Sequence, residues 1–103
     1  MPKLRDVSHV RSKNAGPFWI TVDIFFSTAE AYDAFKESPI LGPQTFALLY
    51  GAEANLVRHH PVDSLKMVKI SYPRPKPQGW RGERDMHGGQ QYVRLLDLEL
   101  SPT

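Results

Sequence analysis

The stretch FWITVDIFF, residues 18–26, decides the fold of this chain. Its side chains alternate between two faces, with the period of two that is typical of a β-strand. One face carries Phe18, Ile20, Val22, Ile24 and Phe26, and the other carries Trp19, Thr21, Asp23 and Phe25. β-Branched and aromatic residues of this kind pack well in a pleated sheet. Because both faces are mostly apolar, we predict a central strand that is covered on one side and partly covered on the other.

Two short helices are predicted after this strand. Ser27 and Glu30 have the spacing of a capping box, which begins a helix that should end near Glu37, before a proline. A second helix fits Pro43–Tyr50, because proline is favoured in the first turn and Gly51 provides a C-terminal stop.

Further strands are predicted on both sides of these elements. They are a short edge strand at Leu56–His60, a strand at Leu65–Tyr72, a closing strand at Val93–Leu100 and an extra N-terminal strand at Leu4–Val7. A long loop rich in proline and glycine spans residues 73–91. The order predicts an α+β fold, a ferredoxin-like sandwich whose mostly antiparallel sheet has helices on one face. At 103 residues the chain, 1–103, is expected to form a single domain.

The composition excludes several classes of function. The chain has no cysteine, which excludes disulfide bonds, thiolate catalysis and cysteine-ligated zinc or iron–sulfur sites. Residues 1–14 lack the apolar run of a secretory signal, and no stretch approaches the roughly 20 apolar residues that a membrane span needs. We therefore expect a soluble cytoplasmic protein without a membrane partner.

Positive charge is concentrated in the second half of the chain. The whole sequence carries a net charge of only +2, but residues 66–94 contain seven basic and two acidic residues, a local net charge of +5. Such an excess favours an anionic partner, whether a carboxylate, a phosphate or an acidic protein surface. The alternative is a solvated loop with assorted charges.

A first polar stretch, HVRSKNAGP at residues 9–17, leads into the central strand. A glycine-containing turn with several donors can hold an anion through backbone amides and cationic side chains. The candidate substrate-binding residues in it are Arg11, Ser12, Lys13, Asn14 and Gly16. The alternative is an ordinary turn into a strand.

A second polar stretch, RGERDMHGGQQ, occupies residues 81–91. Asp85 lies two residues from His87 and can fix the tautomer of its imidazole, which suits proton transfer near neutral pH. These two are the candidate catalytic residues, and the further candidate binding residues are Arg84, Gly88, Gly89 and Gln90. The alternative is a tight turn at the glycine pair, held by an Asp85–Arg84 ion pair. Function depends on the two polar stretches meeting at one end of the sheet.

No metal site and no cofactor are predicted. His59 and His60 are adjacent, so on a strand their side chains point to opposite faces and cannot chelate one ion. Trp19, Phe25 and Tyr72 could stack bases as the aromatics of RNA-binding sheets do, but the basic-aromatic submotif of those modules is missing. Nucleic acid is therefore the least favoured partner.

Three segments resemble a bacterial family of small proteins that is catalogued as a domain of unknown function. They are LRDVSHVRSKNAGPFWITVDIFF near the start, HGGQQ near Gly88 and LLDLEL at the end, and the resemblance covers Leu4 to Leu100. That family is similar in turn to the C-terminal ferredoxin-fold domain of AtuA-type acyclic terpene utilisation proteins. The larger proteins have Gly-Asp-Lys-Gly after an Arg-Ser pair, where this chain has Lys13 to Gly16 without the acid.

The resemblance implies an accessory or site-completing small subunit of an AtuA-like enzyme that acts on acyl-CoA or carboxylic acid intermediates. In this interpretation Arg11 and Lys13 bind an anionic small molecule, and His87 carries a proton. The alternatives are a non-catalytic homo-oligomeric interaction protein and an RNA-binding module. We expect self-association as well as an AtuA-like large subunit as partner, and whether the chain is itself an enzyme stays open.

Overall fold

Four antiparallel strands form one sheet in the computed structural model, which describes residues 2–16, 18–73 and 95–100. Three α-helices and three short 3₁₀ helices complete the regular elements of these residues, and the strands and α-helices are numbered here. In chain order the elements are α1 (Leu4–Val7), β1 (Ser8–Asn14), β2 (Trp19–Phe26), α2 (Ala29–Phe35), α3 (Pro43–Tyr50), β3 (Arg58–Val62) and β4 (Met67–Pro73).

The strands are arranged in the order β1-β2-β4-β3, and every neighbouring pair is antiparallel. It follows that β2 and β3 run in the same direction with β4 inserted between them. The helices α2 and α3 form the crossover between β2 and β3, which is the split β-α-β arrangement of ferredoxin-like folds. The predicted α+β class and mostly antiparallel sheet are confirmed.

One face of the sheet, the inner face, forms the core with the helices. Its buried side chains on the two central strands are Ile20, Val22, Ile24, Phe26, Val68, Ile70 and Tyr72. The helices contribute rings that cover this face: the ring of Tyr50 lies 4.8 Å from that of Tyr72, and Phe46 lies 5.5 Å from the same ring. The prediction that residues 18–26 form a central strand is confirmed, because β2 pairs with β1 on one side and with β4 on the other.

The helices begin and end close to their predicted limits. Thr28, one residue after the expected Ser27, is the N-cap of α2, since its Oγ1 accepts a hydrogen bond of 3.0 Å from the amide of Ala31. The helix α3 covers the predicted range, and Gly51 ends it with a φ of 71°, in the left-handed region that favours glycine. None of the helices in the described residues is long and apolar enough to cross a membrane.

Two predicted strands at the chain ends are wrong. Residues 4–7 form the short helix α1, and residues 95–100 make only an isolated bridge between Glu99 and Lys3. The alternation of leucine with acidic residues suggested a strand, but a turn from Leu95 to Leu98 interrupts it. Leu95 and Leu100 are instead buried in the core beside the inner face.

The remaining strands are displaced by about two residues from their predictions. The edge strand β3 begins at Arg58 rather than Leu56 and includes Pro61, which an edge strand tolerates because its missing amide can face away from the ladder. The strand β4 begins at Met67 rather than Leu65, because residues 63–65 form a 3₁₀ turn that precedes it. The proline- and glycine-rich loop predicted after it lies outside the described residues, apart from Pro73.

Candidate anion-binding face

The second face of the sheet, the outer face, carries none of the described helices, which all pack on the inner face. The strand register aligns its residues in three rows across β1, β2, β4 and β3. These rows are Lys13–Thr21–Ser71–Arg58, Arg11–Asp23–Lys69–His60 and His9–Phe25–Met67–Val62. Trp19 lies two residues before Thr21 on β2 and extends the same face beyond the first row.

The outer face is strongly positive. It carries four lysines and arginines and a single carboxylate, so its net charge is +3 with both histidines neutral. In the part of the chain that the structure describes, no acidic side chain forms an ion pair with Arg11, Lys13 or Arg58. Among the described residues, these three cations are therefore not neutralised by an acidic partner.

Asp23 is the one acid of the outer face, and it is almost completely buried. The residue is 8% exposed, and the Nζ of Lys69 lies 4.0 Å from its Oδ1. This Oδ1 has no hydrogen-bond partner among the described residues, whereas buried carboxylates are normally hydrogen-bonded. Arg11 lies opposite Asp23 on the neighbouring strand. The carboxylate thus lies between two cations that it neutralises only in part.

A small hollow of about 170 Å³ lies beside this carboxylate. The described residues that line it are Arg11, Ser12, Lys13 and Asp23. Two cations and one weakly paired carboxylate within so small a space favour a compact anionic group, such as a carboxylate or a phosphate.

A larger hollow of about 380 Å³ lies on the outer face near the turn between β1 and β2. The described residues that line it are Ala15, Trp19, Arg58 and Ser71. The guanidinium of Arg58 lies 5.6 Å from the centre of the Trp19 ring, within the range of a cation–π contact. This hollow is therefore aromatic and cationic at once.

A second arginine is held over a ring in the same way. The guanidinium of Arg11 lies 5.7 Å from the centre of the Phe25 ring. Aromatic contacts of this kind restrict a long side chain, so less conformational entropy is lost when the guanidinium binds a ligand. Both arginines of the outer face are thus partly preorganised.

The polar stretch predicted as a turn is mostly strand, because residues 9–14 belong to β1, and its role in binding stays a prediction. Arg11, Ser12, Lys13 and Asn14 all belong to β1 and pair with β2. Because side chains alternate along a strand, Arg11 and Lys13 share the outer face, whereas Asn14 aligns with the core residue Ile20. Ser12 contributes to the lining of the smaller hollow.

Gly16 lies in the turn between β1 and β2 with a φ of 85°. An added Cβ would have no heavy atom within 4 Å. The glycine is therefore required by the left-handed backbone of the turn.

The second predicted polar stretch lies outside the described residues. This applies to Asp85 and His87, to Arg84, Gly88, Gly89 and Gln90, and to the expected meeting of the two stretches. These assignments stay predictions.

Several residues of the candidate site were not among the predicted site residues. They are Trp19, Asp23, Arg58, Lys69 and Ser71, which come from three different strands. The one available signal was the alternation of side chains along β2 and β4, because every second residue of a strand lies on the same face of the sheet. Combining strands requires the register, which residue types alone do not give.

The described residues contain no group of three or more histidine, aspartate or glutamate side chains arranged to hold a metal ion. His59 and His60 lie on β3 and align with Ile70 and Lys69, on the inner and outer faces respectively. They point in opposite directions, as the alternation of a strand requires.

Comparison with models of protein families assigns the chain to a domain family. A family model described as a domain of unknown function, DUF4387, matches residues 4–99. The chain belongs to this family. The part that matches DUF4387 includes every outer-face residue from His9 to Ser71. Searches of curated proteins and of solved structures found no match to the chain.

Proposed function

We propose that this chain is an accessory subunit that binds an anionic group on the outer face of its sheet. The observation that carries the proposal is the excess of positive charge around the two hollows. Arg11, Lys13 and Arg58 have no acidic partner among the described residues. Arg11 and Lys13 line the smaller hollow together with Asp23, the one carboxylate among the outer-face residues that the structure describes. A cationic concave surface raises the local concentration of anions and strengthens their binding.

The chemistry of the smaller hollow favours a carboxylate or a phosphate. Arg11 can donate two parallel hydrogen bonds to either group, and Lys13 adds a point charge beside it. A charge-assisted hydrogen bond contributes about 1.5–3 kcal/mol, so two such contacts suffice for selective binding of a small anion. In this role the outer face binds a substrate and is not covered by another protein surface.

The partner that we propose is an AtuA-like large chain, in a pathway of acyl-CoA or carboxylic acid intermediates. The support for it is the sequence resemblance of residues 4–100 to the small family of unknown function, which is similar in turn to the C-terminal domain of such proteins. A domain that is fused in some proteins and separate in others can act as a detachable subunit. In the assembled enzyme, His87 oriented by Asp85 would carry the proton, and the expected location is the cytoplasm.

Coexpression with an AtuA-like large chain tests the subunit assignment. We expect the two chains to elute together in size-exclusion chromatography at micromolar concentration, and separate elution would overturn the assignment. His87→Ala should then reduce the activity of the complex without unfolding it.

Anion binding is tested separately on the isolated chain by calorimetric titration with inorganic pyrophosphate. Lys13→Glu should weaken binding at least tenfold. The matched control is Lys66→Glu, an equal change of charge in the turn before β4. Lys66 lies about 17 Å along the strand from Ser71, which lines the larger hollow, so its charge is far from the candidate site. Equal effects of the two variants would show that binding depends on overall charge and not on the outer face.

Self-association is a second candidate, favoured by exposed apolar side chains. Leu48 of α3 is 86% exposed, and Phe18 and Leu65 are each more than half exposed. Two copies would not pair through their outer faces, because two surfaces of net charge +3 repel each other. Light scattering tests this candidate: Leu48→Lys should convert a dimer to a monomer, and a wild-type monomer at high concentration would exclude it.

A further inference from the structure

The two hollows lie on the same face of the sheet and differ in chemistry. Lys13 lines the smaller one and Ser71 lines the larger one, and both residues belong to the same row across the sheet. The described residues that line the smaller hollow are two cations, a serine and a carboxylate, with no aromatic ring among them. The larger hollow combines the Trp19 ring with the guanidinium of Arg58. A ligand that fills both must therefore have an anionic group at one end and a planar aromatic group at the other.

We infer that the two hollows together bind one nucleotide, with its base against Trp19 and Arg58 and its phosphate on Lys13 and Arg11. This inference deepens the proposed function and rests on its claim that the outer face binds an anion. It adds the chemical class of the ligand.

The spacing of the residues suits a nucleotide. Lys13 lies directly opposite Thr21, and Trp19 precedes Thr21 by two residues on the same strand. Lys13 and Trp19 are therefore diagonal neighbours across two strands, about 7–8 Å apart. In a nucleotide a single sugar separates the base from the phosphate. Ser71 lines the larger hollow, and its hydroxyl is a group to which a sugar could hydrogen-bond.

The arginine over the tryptophan ring suits a base in particular. Bases stack on aromatic side chains and on guanidinium planes, and both surfaces are already aligned in the Trp19–Arg58 pair. A simple carboxylate would use the charge of Arg58 but would gain nothing from the ring. The pair thus distinguishes a nucleotide from a small organic acid.

The volumes favour one free nucleotide over a nucleic-acid strand. The larger hollow, about 380 Å³, falls within the range of about 300–1,000 Å³ that small-molecule sites occupy. The smaller one, about 170 Å³, is below that range and suits a phosphate group alone. A single strand is normally bound along a groove with several stacking rings, whereas the ring of Trp19 is the only one lining either hollow among the described residues.

Fluorescence titration of the full chain tests the inference. The sequence contains two tryptophans, Trp19 and Trp80, so the variant Trp80→Phe leaves Trp19 as the only tryptophan reporter. The probes are ADP, adenosine and inorganic pyrophosphate. We expect ADP to quench Trp19 and to bind at least tenfold more tightly than either of the other two.

Equal affinities for ADP and pyrophosphate would overturn the nucleotide inference and leave the anion-binding proposal intact. Failure of all three probes to bind would overturn both. A five-residue single-stranded oligodeoxyadenylate provides a further arm: if it binds more than tenfold more tightly than ADP, the ligand is a nucleic-acid strand and the assignment to a free nucleotide is wrong.

Substitutions locate the two ends of the ligand in the same assay. Arg58→Ala should weaken ADP binding at least fivefold and pyrophosphate binding less than twofold, because the phosphate lies on Lys13 and Arg11. Since Arg58 is exposed on the edge strand β3, the variant should fold. Lys13→Ala should weaken both ligands, and the control Lys66→Ala should affect neither. An Arg58→Ala variant that binds ADP as the wild type does would contradict the inference.

Discussion

The guanidinium of Arg58 lies 5.6 Å from the centre of the Trp19 ring, although the two residues belong to β3 and β2 and the strand β4 separates them. Arg58 pairs with Ser71 of β4, so its side chain extends over that strand to reach the ring. The contact joins the edge of the sheet to its centre and forms one wall of the larger hollow. The register of the sheet, and not nearness in sequence, assembles this part of the site.

This contact should stabilise the fold. We expect Arg58→Ala to lower the free energy of unfolding by about 0.5–1 kcal/mol, the range of exposed cation–π pairs. Urea denaturation measures the change, and the control Lys66→Ala should stay within about 0.5 kcal/mol of the wild type. A loss no greater than that of the control would show that the contact contributes nothing to stability.

Asp23→Asn should strengthen anion binding. The substitution removes the one negative charge of the outer face and leaves the cations around it unchanged. At a separation of about 8 Å, a unit charge contributes about 0.5 kcal/mol in water and about 2 kcal/mol at an effective dielectric constant of 20. We therefore expect pyrophosphate to bind about two- to thirtyfold more tightly in calorimetry. Weaker binding would mean that the carboxylate itself contacts the ligand.

Tyr32 of α2 connects the helix layer to the turn before β4, and its contribution should depend on pH. Its hydroxyl donates a hydrogen bond of 2.5 Å to Oδ1 of Asp63. Burial raises the pKa of Tyr32 to about 12, and the Asp63 carboxylate acts in the same direction. Because the folded pKa is above the ordinary value of about 10, this stabilisation is fully present below about pH 10. It is lost as the pH rises through about 12.

Urea unfolding of the wild type and Tyr32→Phe between pH 8 and pH 12 checks this dependence. At pH 8 the variant should be less stable by about 1 kcal/mol, the contribution of one hydrogen bond. The difference should shrink towards the alkaline end, because the wild type alone loses its neutral phenol. A difference that stays constant with pH would contradict the assignment.

Gly16 should tolerate few replacements, although there is space around it. Its φ of 85° is left-handed, and no heavy atom lies within 4 Å of an added Cβ. Gly16→Ala should therefore cost about 1–2 kcal/mol of backbone strain alone, and Gly16→Asn should cost less because asparagine tolerates this region. Thermal denaturation of both variants measures the difference. Equal stability of Gly16→Ala and the wild type would show that the turn adjusts its backbone freely.

The central part of the fold could be predicted from local pattern. The alternation in residues 18–26 and the proline and glycine that bound α3 gave elements that the structure confirms. The chain ends could not be predicted in this way. The alternation in residues 95–100 is equally regular, but Leu95 and Leu100 are buried beneath the sheet instead of extending it.

The candidate site was predictable only in part. Arg11 and Lys13 could be proposed from their charge. That their side chains lie on the opposite face of the sheet from Asn14 could not, because it depends on the strand that all three residues form. Arg58 and Trp19 are 39 positions apart, and only the pairing of both β2 and β3 with β4 places them within reach of each other. Such long-range pairings follow from the packing of the whole sheet, and they cannot be read from a short stretch of sequence.

Nuclear magnetic resonance offers the most direct test that the outer face binds an anion. Amide spectra of the ¹⁵N-labelled chain should be recorded during addition of inorganic pyrophosphate at constant ionic strength. We predict that the shifts concentrate on β1 around Arg11 and Lys13 and on Asp23 opposite them, with α2 and α3 unaffected. Shifts scattered over every basic residue, or confined to the helices, would contradict the account.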